Sequence, residues 1–255
     1  MLYCRFKCGE VEGWGVVEAH EIQEVTPDVF SEYELTGRSF PMADVRFLAP
    51  VLPSSKIIGV GLNYTEHIKE FNRSEIPTEP VLFLKAPSSV IGLHESIVLP
   101  KGDTGVEYEG EMGVVIKKRA RHVPESEALD YVLGLTCVND VTARTLQRKD
   151  VQWVRAKSYD TFCPIGPWIA DGLPPGKLRL ETYLNKKQVQ SAHTSEMIFS
   201  VPRLVSFISS VMTLNPGDII STGTPKGVGP LKAGDVVDVL VEGVGRLQNS
   251  VVEGH

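Results

Sequence analysis

Glu107-Tyr108-Glu109-Gly110-Glu111, running directly into Met112-Gly113-Val114-Val115-Ile116, is the stretch on which the reading of the whole chain turns. In a β-strand successive side chains alternate faces, so Glu107, Glu109 and Glu111 share one face and Tyr108 takes the other. The apolar continuation has the composition of a strand buried in a sheet. Carboxylates crowded this closely repel one another, and burying even one is costly unless it is paired or bound to a metal. The face is therefore either solvated or built around a cation, and spacing alone leaves both readings open.

A buried strand needs neighbours, and the chain supplies them. Short segments such as Gly13–Val17, Ile57–Gly61, Val81–Leu84 and Val132–Val138 are apolar or β-branched and are punctuated by 23 glycines and 17 prolines, the pattern of many short strands joined by tight turns. Two turn-plus-strand units, beginning at Pro216-Gly217-Asp218 and Ala233-Gly234-Asp235, close the chain. Helices are few. A short one is expected within Asn63–Glu70, capped by Asn63 or Thr65, another over Glu125–Tyr131, and a third over Val141–Lys149, capped by Asn139 or Asp140. The only long amphipathic helix follows Ser200 as N-cap, with Pro202 in its first turn and Leu204, Val205, Ile208, Val211 and Met212 at helical spacing. Clustered strands with a few separate helices predict an α+β, β-dominated fold. The proline-flanked connector Phe47–Pro53 suits a boundary between a small β-rich N-terminal domain (1–53) and a larger domain (54–255).

The formal net charge of −6 comes without any basic stripe, so neither nucleic acid nor an anionic membrane surface is expected as a partner. No apolar run has membrane-spanning length. The first eight residues include Arg5 and Lys7 and lack an apolar core region, so no secretory leader is expected and a cytoplasmic location is. Cys4, Cys8, Cys137 and Cys163 form no C-x-x-C pair and no zinc-ligand spacing, which predicts reduced thiols.

A cation site on the Glu-rich strand needs a third ligand, and Asp140, at the end of an apolar strand, is the candidate. Glu109, Glu111 and Asp140 would make an all-oxygen site suited to Mg²⁺ or Mn²⁺, less well to Ca²⁺ and poorly to Zn²⁺. The alternative is a solvated strand plus a capping aspartate. His67 and Glu70 lie one helical turn apart. A glutamate there can fix the imidazole tautomer and raise its basicity, or the two can form a plain surface pair. Arg144 and Gln147 share that spacing. They could grip a carboxylate and an oxo group, or simply line a polar helix face. Lys85 ends so apolar a strand that it either snorkels or faces a site. Charge alone does not single out Lys157. Thr222–Gly229 is glycine-rich but lacks the phosphate-loop pattern and opens no helix, although its amides could cradle an anion. No nucleophile elbow or dinucleotide fingerprint occurs.

The order of these segments resembles the fumarylacetoacetate hydrolase family in its short single-chain prokaryotic form. Gly61-Leu62-Asn63-Tyr64 leads into His67 and Glu70. Tyr108-Glu109-Gly110-Glu111-Met112, Asn139-Asp140-Val141-Thr142-Ala143-Arg144 with Gln147, and Lys157–Pro167 follow, then Met197–Ser200 and Gly223–Gly229. The resemblance spans residues 54–252. It implies a mixed, rolled β-sandwich around a metal held by Glu109, Glu111 and Asp140, with His67 and Glu70 as the catalytic dyad. Lys157 joins them as a catalytic group, Arg144, Gln147 and Thr224 are implied for the substrate site, and a homodimer is implied as the assembly; Lys85 is added to the substrate site on its place at the end of an apolar strand. Glu107 stands where the family varies and is left out of the metal shell. The implied substrate is a small 2-oxo acid. The implied chemistries are Mg²⁺-dependent hydrolysis of a C–C bond in an acylpyruvate, isomerisation of 2-hydroxyhepta-2,4-diene-1,7-dioate, or decarboxylation in aromatic catabolism. A metal-stabilised β-rich binding module is the non-enzymatic alternative.

Overall fold

A computed structural model describes residues 1–70, 75–102 and 104–254. Strands dominate. A 12-stranded mixed sheet runs in the order 34–41, 21–26, 11–18, 2–8, 163–170, 132–139, 110–116, 219–221, 57–61 and 81–85, with 46–48 pairing on 2–8 and 90–91 on 163–170. A 5-stranded sheet (187–193, 179–184, 236–241, 245–253, 97–99) packs against it, and 142–143, 106–108 and 229–230 form a third, 3-stranded sheet.

The strand Gly110–Ile116 lies near the centre of the large sheet, between Val132–Asn139 and Ile219–Ser221, and is buried along its whole length. Met112, Val114 and Ile116 point into a core shared with Leu180, Val239, Val241 and Leu247 of the smaller sheet. Val115 points the other way, into a core with Ile57, Ile165, Ile169 and Ile219. Burial on both faces explains the unbroken apolar run. The helix Val201–Val211 covers the first core with Leu204, Val205 and Ile208, and the Ser200 hydroxyl caps it by accepting the Arg203 N–H.

Four local expectations change. Val106–Ile116 is not one strand. It is split into Val106–Tyr108 and Gly110–Ile116, which belong to different sheets, so Glu109 sits at the break and does not share one even face with its neighbours. The helix after Asp140 starts only at Arg144, because Thr142–Ala143 pairs with Val106–Glu107, and neither Asn139 nor Asp140 caps it. Asn63 caps nothing either. Its buried amide accepts the Phe199 N–H and donates to the carbonyls of Phe199 and Thr222, tying the start of the Thr65–Glu70 helix to two distant loops. Glu125–Tyr131 is a 3₁₀ segment.

The N-terminal strands continue the large sheet: Leu2 and Tyr3 pair with Ala170 and Ile169. All four cysteines are free thiols. Among the described residues no helix is long and apolar enough to cross a membrane.

Candidate active site

The break at Glu109 is where the site forms. The Asp140 N–H donates to the Glu109 carbonyl at 2.8 Å, and the Asn139 side chain accepts the Glu109 N–H at 3.0 Å. These bonds bring the end of one strand against the start of the next, so that carboxylate oxygens of Glu109, Glu111 and Asp140 lie within 4.8 Å of one another, all three side chains buried. Glu107 does not join them. It accepts the Arg144 Nε–H at 2.8 Å.

Three cationic side chains converge on this cluster. Lys157 Nζ lies 2.7 Å from Glu109 Oε2 and 2.5 Å from Asp140 Oδ2. Lys85 Nζ reaches the other oxygen of Asp140 and the Val141 carbonyl. Arg144 spans Glu107, Glu109 (Nη2 to Oε1, 2.6 Å) and Gln147 (Nη1 to Oε1, 2.6 Å). Burial opposes ionisation of Glu109, but Lys157 and Arg144 outweigh it and hold its carboxyl well below the usual range. Glu111 has no cation of its own. It accepts the Ser221 hydroxyl at 2.5 Å and the Gly223 N–H at 2.9 Å. Burial, with Asp140 and Glu109 beside it, pushes its carboxyl up to about 8.

His67 and Glu70 come from the short helix Thr65–Glu70. His67 is 5 % exposed, and its Nδ1 lies 3.1 Å from Glu70 Oε2. Burial lowers the imidazole pKa, while the charges of Glu109 and Glu70 oppose that shift, so the ring is neutral near pH 7. The second oxygen of Glu70 accepts the Gly227 N–H at 3.0 Å, joining this helix to the loop 223–229. Thr224 of that loop donates its hydroxyl to the Gly110 carbonyl at 2.9 Å.

One cavity of about 100 Å³ unites these groups. His67, Glu109, Glu111, Asp140, Arg144, Gln147, Lys157 and Thr224 line it, as do Phe83, Arg148 and Trp153. Lys85 and Glu70 stand behind the wall, Lys85 against Asp140 and Glu70 against His67. Lys85, expected in the substrate site, makes its contacts with Asp140 and the Val141 carbonyl and stands outside the cavity lining. Sequence reasoning missed Phe83, Arg148 and Trp153. Phe83 and Trp153 pack edge to face at 5.6 Å, and Phe83 lies 4.8 Å beneath Lys157 Nζ. The available signal was glycine: a Cβ at Gly59 would fall 2.1 Å from the Phe83 ring, and one at Gly61 would fall 2.8 Å from Trp153.

Residues 56–252 match the family model described as "Fumarylacetoacetate (FAA) hydrolase C-terminal", and residues 1–50 match "Rv2993c-like, N-terminal". The chain belongs to the fumarylacetoacetate hydrolase family. It is 43 % identical to a crystal structure of a 5-carboxymethyl-2-hydroxymuconate delta-isomerase from Mycobacterium smegmatis, with a TM-score of 0.93 and full coverage of both chains. It is 42 % identical to a mitochondrial oxaloacetate tautomerase of Rattus norvegicus over 94 % of this chain and 85 % of that one. A maleylpyruvate hydrolase from Sphingobium sp. SYK-6, in complex with manganese(II) and pyruvate, is 30 % identical with a TM-score of 0.83, again over both full chains. Hydrolase, isomerase and tautomerase thus occur within one family on one fold.

The donor set fits a hard divalent cation: three oxygen ligands and no thiolate or imidazole among them. Glu107, Glu109, Glu111 and Asp140 face Lys85, Arg144 and Lys157, one carboxyl more than there are cations, and Glu111, buried beside Asp140 and Glu109, is the one that no cation holds in its ionised form.

Proposed function

We propose that this protein hydrolyses a C–C bond in an acylpyruvate-like 2,4-dioxo acid, with Mg²⁺ (or Mn²⁺) held by Glu109, Glu111 and Asp140. The observation that carries the reading is His67. It is a buried imidazole whose pKa burial lowers, held by Glu70, on the wall of the same cavity as the acidic triad. A purely structural metal site would need no such base.

When bound, the cation supplies Lewis-acid stabilisation for the negative charge that develops on the 2-oxo oxygen. With Nδ1 committed to Glu70, proton uptake falls to Nε2. There His67 removes a proton from water as the oxygen attacks the distal carbonyl. The bond between that carbonyl carbon and the pyruvyl methylene breaks, and its electron pair stays with the pyruvyl carbon. Proton return from the imidazolium then gives pyruvate and a second carboxylic acid. Lys157 and Arg144 place positive charge beside the region where anionic charge grows. Arg148, on the cavity wall, has no ion-pair partner among the described residues, and it suits a carboxylate at the far end of the substrate. A homodimer is proposed as the working assembly.

Isomerisation of a dienedioate is the second reading, favoured by the likeness to the M. smegmatis structure. It uses the same triad, with His67 moving a proton between carbons and no water attacking. A panel of acylpyruvates and dienedioates assayed with Mg²⁺ separates the two. Release of pyruvate, lost in His67→Ala and in Glu109→Ala, supports hydrolysis. Double-bond migration without pyruvate release supports isomerisation. A cation that raises the melting temperature while no oxo acid turns over would reject both in favour of a binding module.

A further inference from the structure

We propose that Gln190, on the strand Lys187–His193 and lining no part of the cavity, is a positioning residue that sets both the metal ligands and the substrate loop. Its side chain is 1 % exposed and its hydrogen bonds close a ring. Gln190 Oε1 accepts the N–H of Gly110, the peptide between Glu109 and Glu111, at 3.0 Å. Gln190 Nε2 donates to the Thr224 hydroxyl oxygen at 2.8 Å, and that hydroxyl donates onward to the Gly110 carbonyl at 2.9 Å. The second Nε2 hydrogen goes to the Pro225 carbonyl at 2.8 Å. One amide therefore fixes the direction of the Thr224 O–H and grips the peptide that separates two metal-ligand candidates. It also anchors the loop whose Gly227 N–H holds Glu70 against His67.

The surroundings leave this ring no room to relax. A Cβ at Gly110 would fall 1.9 Å from Thr182 Oγ1, and one at Gly227 would fall 2.1 Å from the Val189 carbonyl oxygen, so both backbones lie directly on the hairpin that carries Gln190. Thr182 is paired with Gln190 across that hairpin. Glutamine is the residue type required, because only a neutral amide supplies one acceptor and two donors together. The residues that hold metal ligands in place commonly change metal affinity when altered, although they touch no metal.

The assignment rests on the reading of the triad as a cation site, and its test does not depend on the substrate. Mn²⁺ affinity is measured by electron paramagnetic resonance for the wild type, Gln190→Met, Thr224→Val and the double variant, with kcat and KM on an acylpyruvate as a parallel readout. Gln190→Met is expected to weaken Mn²⁺ binding about tenfold, within the range seen for residues supporting metal ligands. The two changes are expected to combine less than multiplicatively, because they cut one ring. Thr224→Val keeps the Gln190–Gly110 bond and reads the same path from the loop side should Gln190→Met fold poorly. Unchanged Mn²⁺ affinity in both folded variants, or fully multiplicative losses, would overturn the assignment and mark Gln190 as a packing residue. A wild type that binds Mn²⁺ but turns over no oxo acid would reject the proposed activity while leaving the Gln190 test intact.

Discussion

Glu70 holds His67 by one carboxylate oxygen, 3.1 Å from Nδ1, and through the other accepts the backbone N–H of the loop residue Gly227. The proposed base and the loop 223–229 thus share one anchor. Glu70→Gln keeps the geometry but removes the charge that favours the imidazolium. The expected result is a fall in kcat of about 10²-fold, the lower end of what general-base catalysis contributes, read from steady-state kinetics with saturating Mg²⁺.

The pH profile follows from the same pair. Burial lowers the His67 pKa below its ordinary 6.5, and Glu109 and Glu70 act against the shift. A base with a lowered pKa stays deprotonated to more acidic pH. The acid limb of kcat/KM should therefore fall below pH 6.5 in the wild type and move lower still in Glu70→Gln. A limb that moves upward in that variant would contradict the role of Glu70.

Glu111 gives a metal-linked prediction. Its carboxyl is raised to about 8 in the folded, metal-free protein against an ordinary 4.5. A raised folded pKa means that its contribution to stability is fully present below about 4.5 and is lost as pH climbs through about 8. A cation that binds the carboxylate removes that penalty and displaces the proton. Mg²⁺ or Mn²⁺ should raise the melting temperature more at pH 8 than at pH 6, and calorimetry should register proton release at pH 6–7.

Lys157 bridges Glu109 and Asp140 with both partners buried. Lys157→Met leaves two carboxylates short of a cation. It should destabilise the metal-free protein by about 3 kcal/mol, the scale for breaking a buried ion pair from one side. Denaturant midpoints should show much of that loss recovered by Mn²⁺, whereas turnover should not recover.

The segments around Glu109–Glu111, Asp140 and His67–Glu70 each had an ordinary structural reading when taken alone, as a solvated strand, a capping aspartate and a surface pair. Spacing alone did not decide between a solvated face and a cation site; the order of the motifs added the argument, and folding brought the three carboxylates together. The strand break at Glu109 was not legible. Val106–Ile116 alternates well enough to read as one strand, and only its pairing with two different sheets divides it. Lys85 was ambiguous for a similar reason: a lysine ending an apolar strand announces burial against something, but not whether the partner is a substrate or Asp140. Phe83, Trp153 and Gln190 were invisible because their roles come from contacts across the fold, for which the only local traces are glycines at positions 59, 61 and 110.

On the proposed function, Glu109, Glu111 and Asp140 hold a divalent cation that a 2-oxo acid engages beside His67. Anomalous diffraction from a crystal soaked with Mn²⁺ and oxalate, which mimics the planar dianionic form of pyruvate, tests it most directly. One manganese peak is expected, bounded by oxygens of those three carboxylates, with oxalate chelated on the side facing His67 and Arg144. Oxalate bound elsewhere, or no manganese among the three carboxylates, would contradict it.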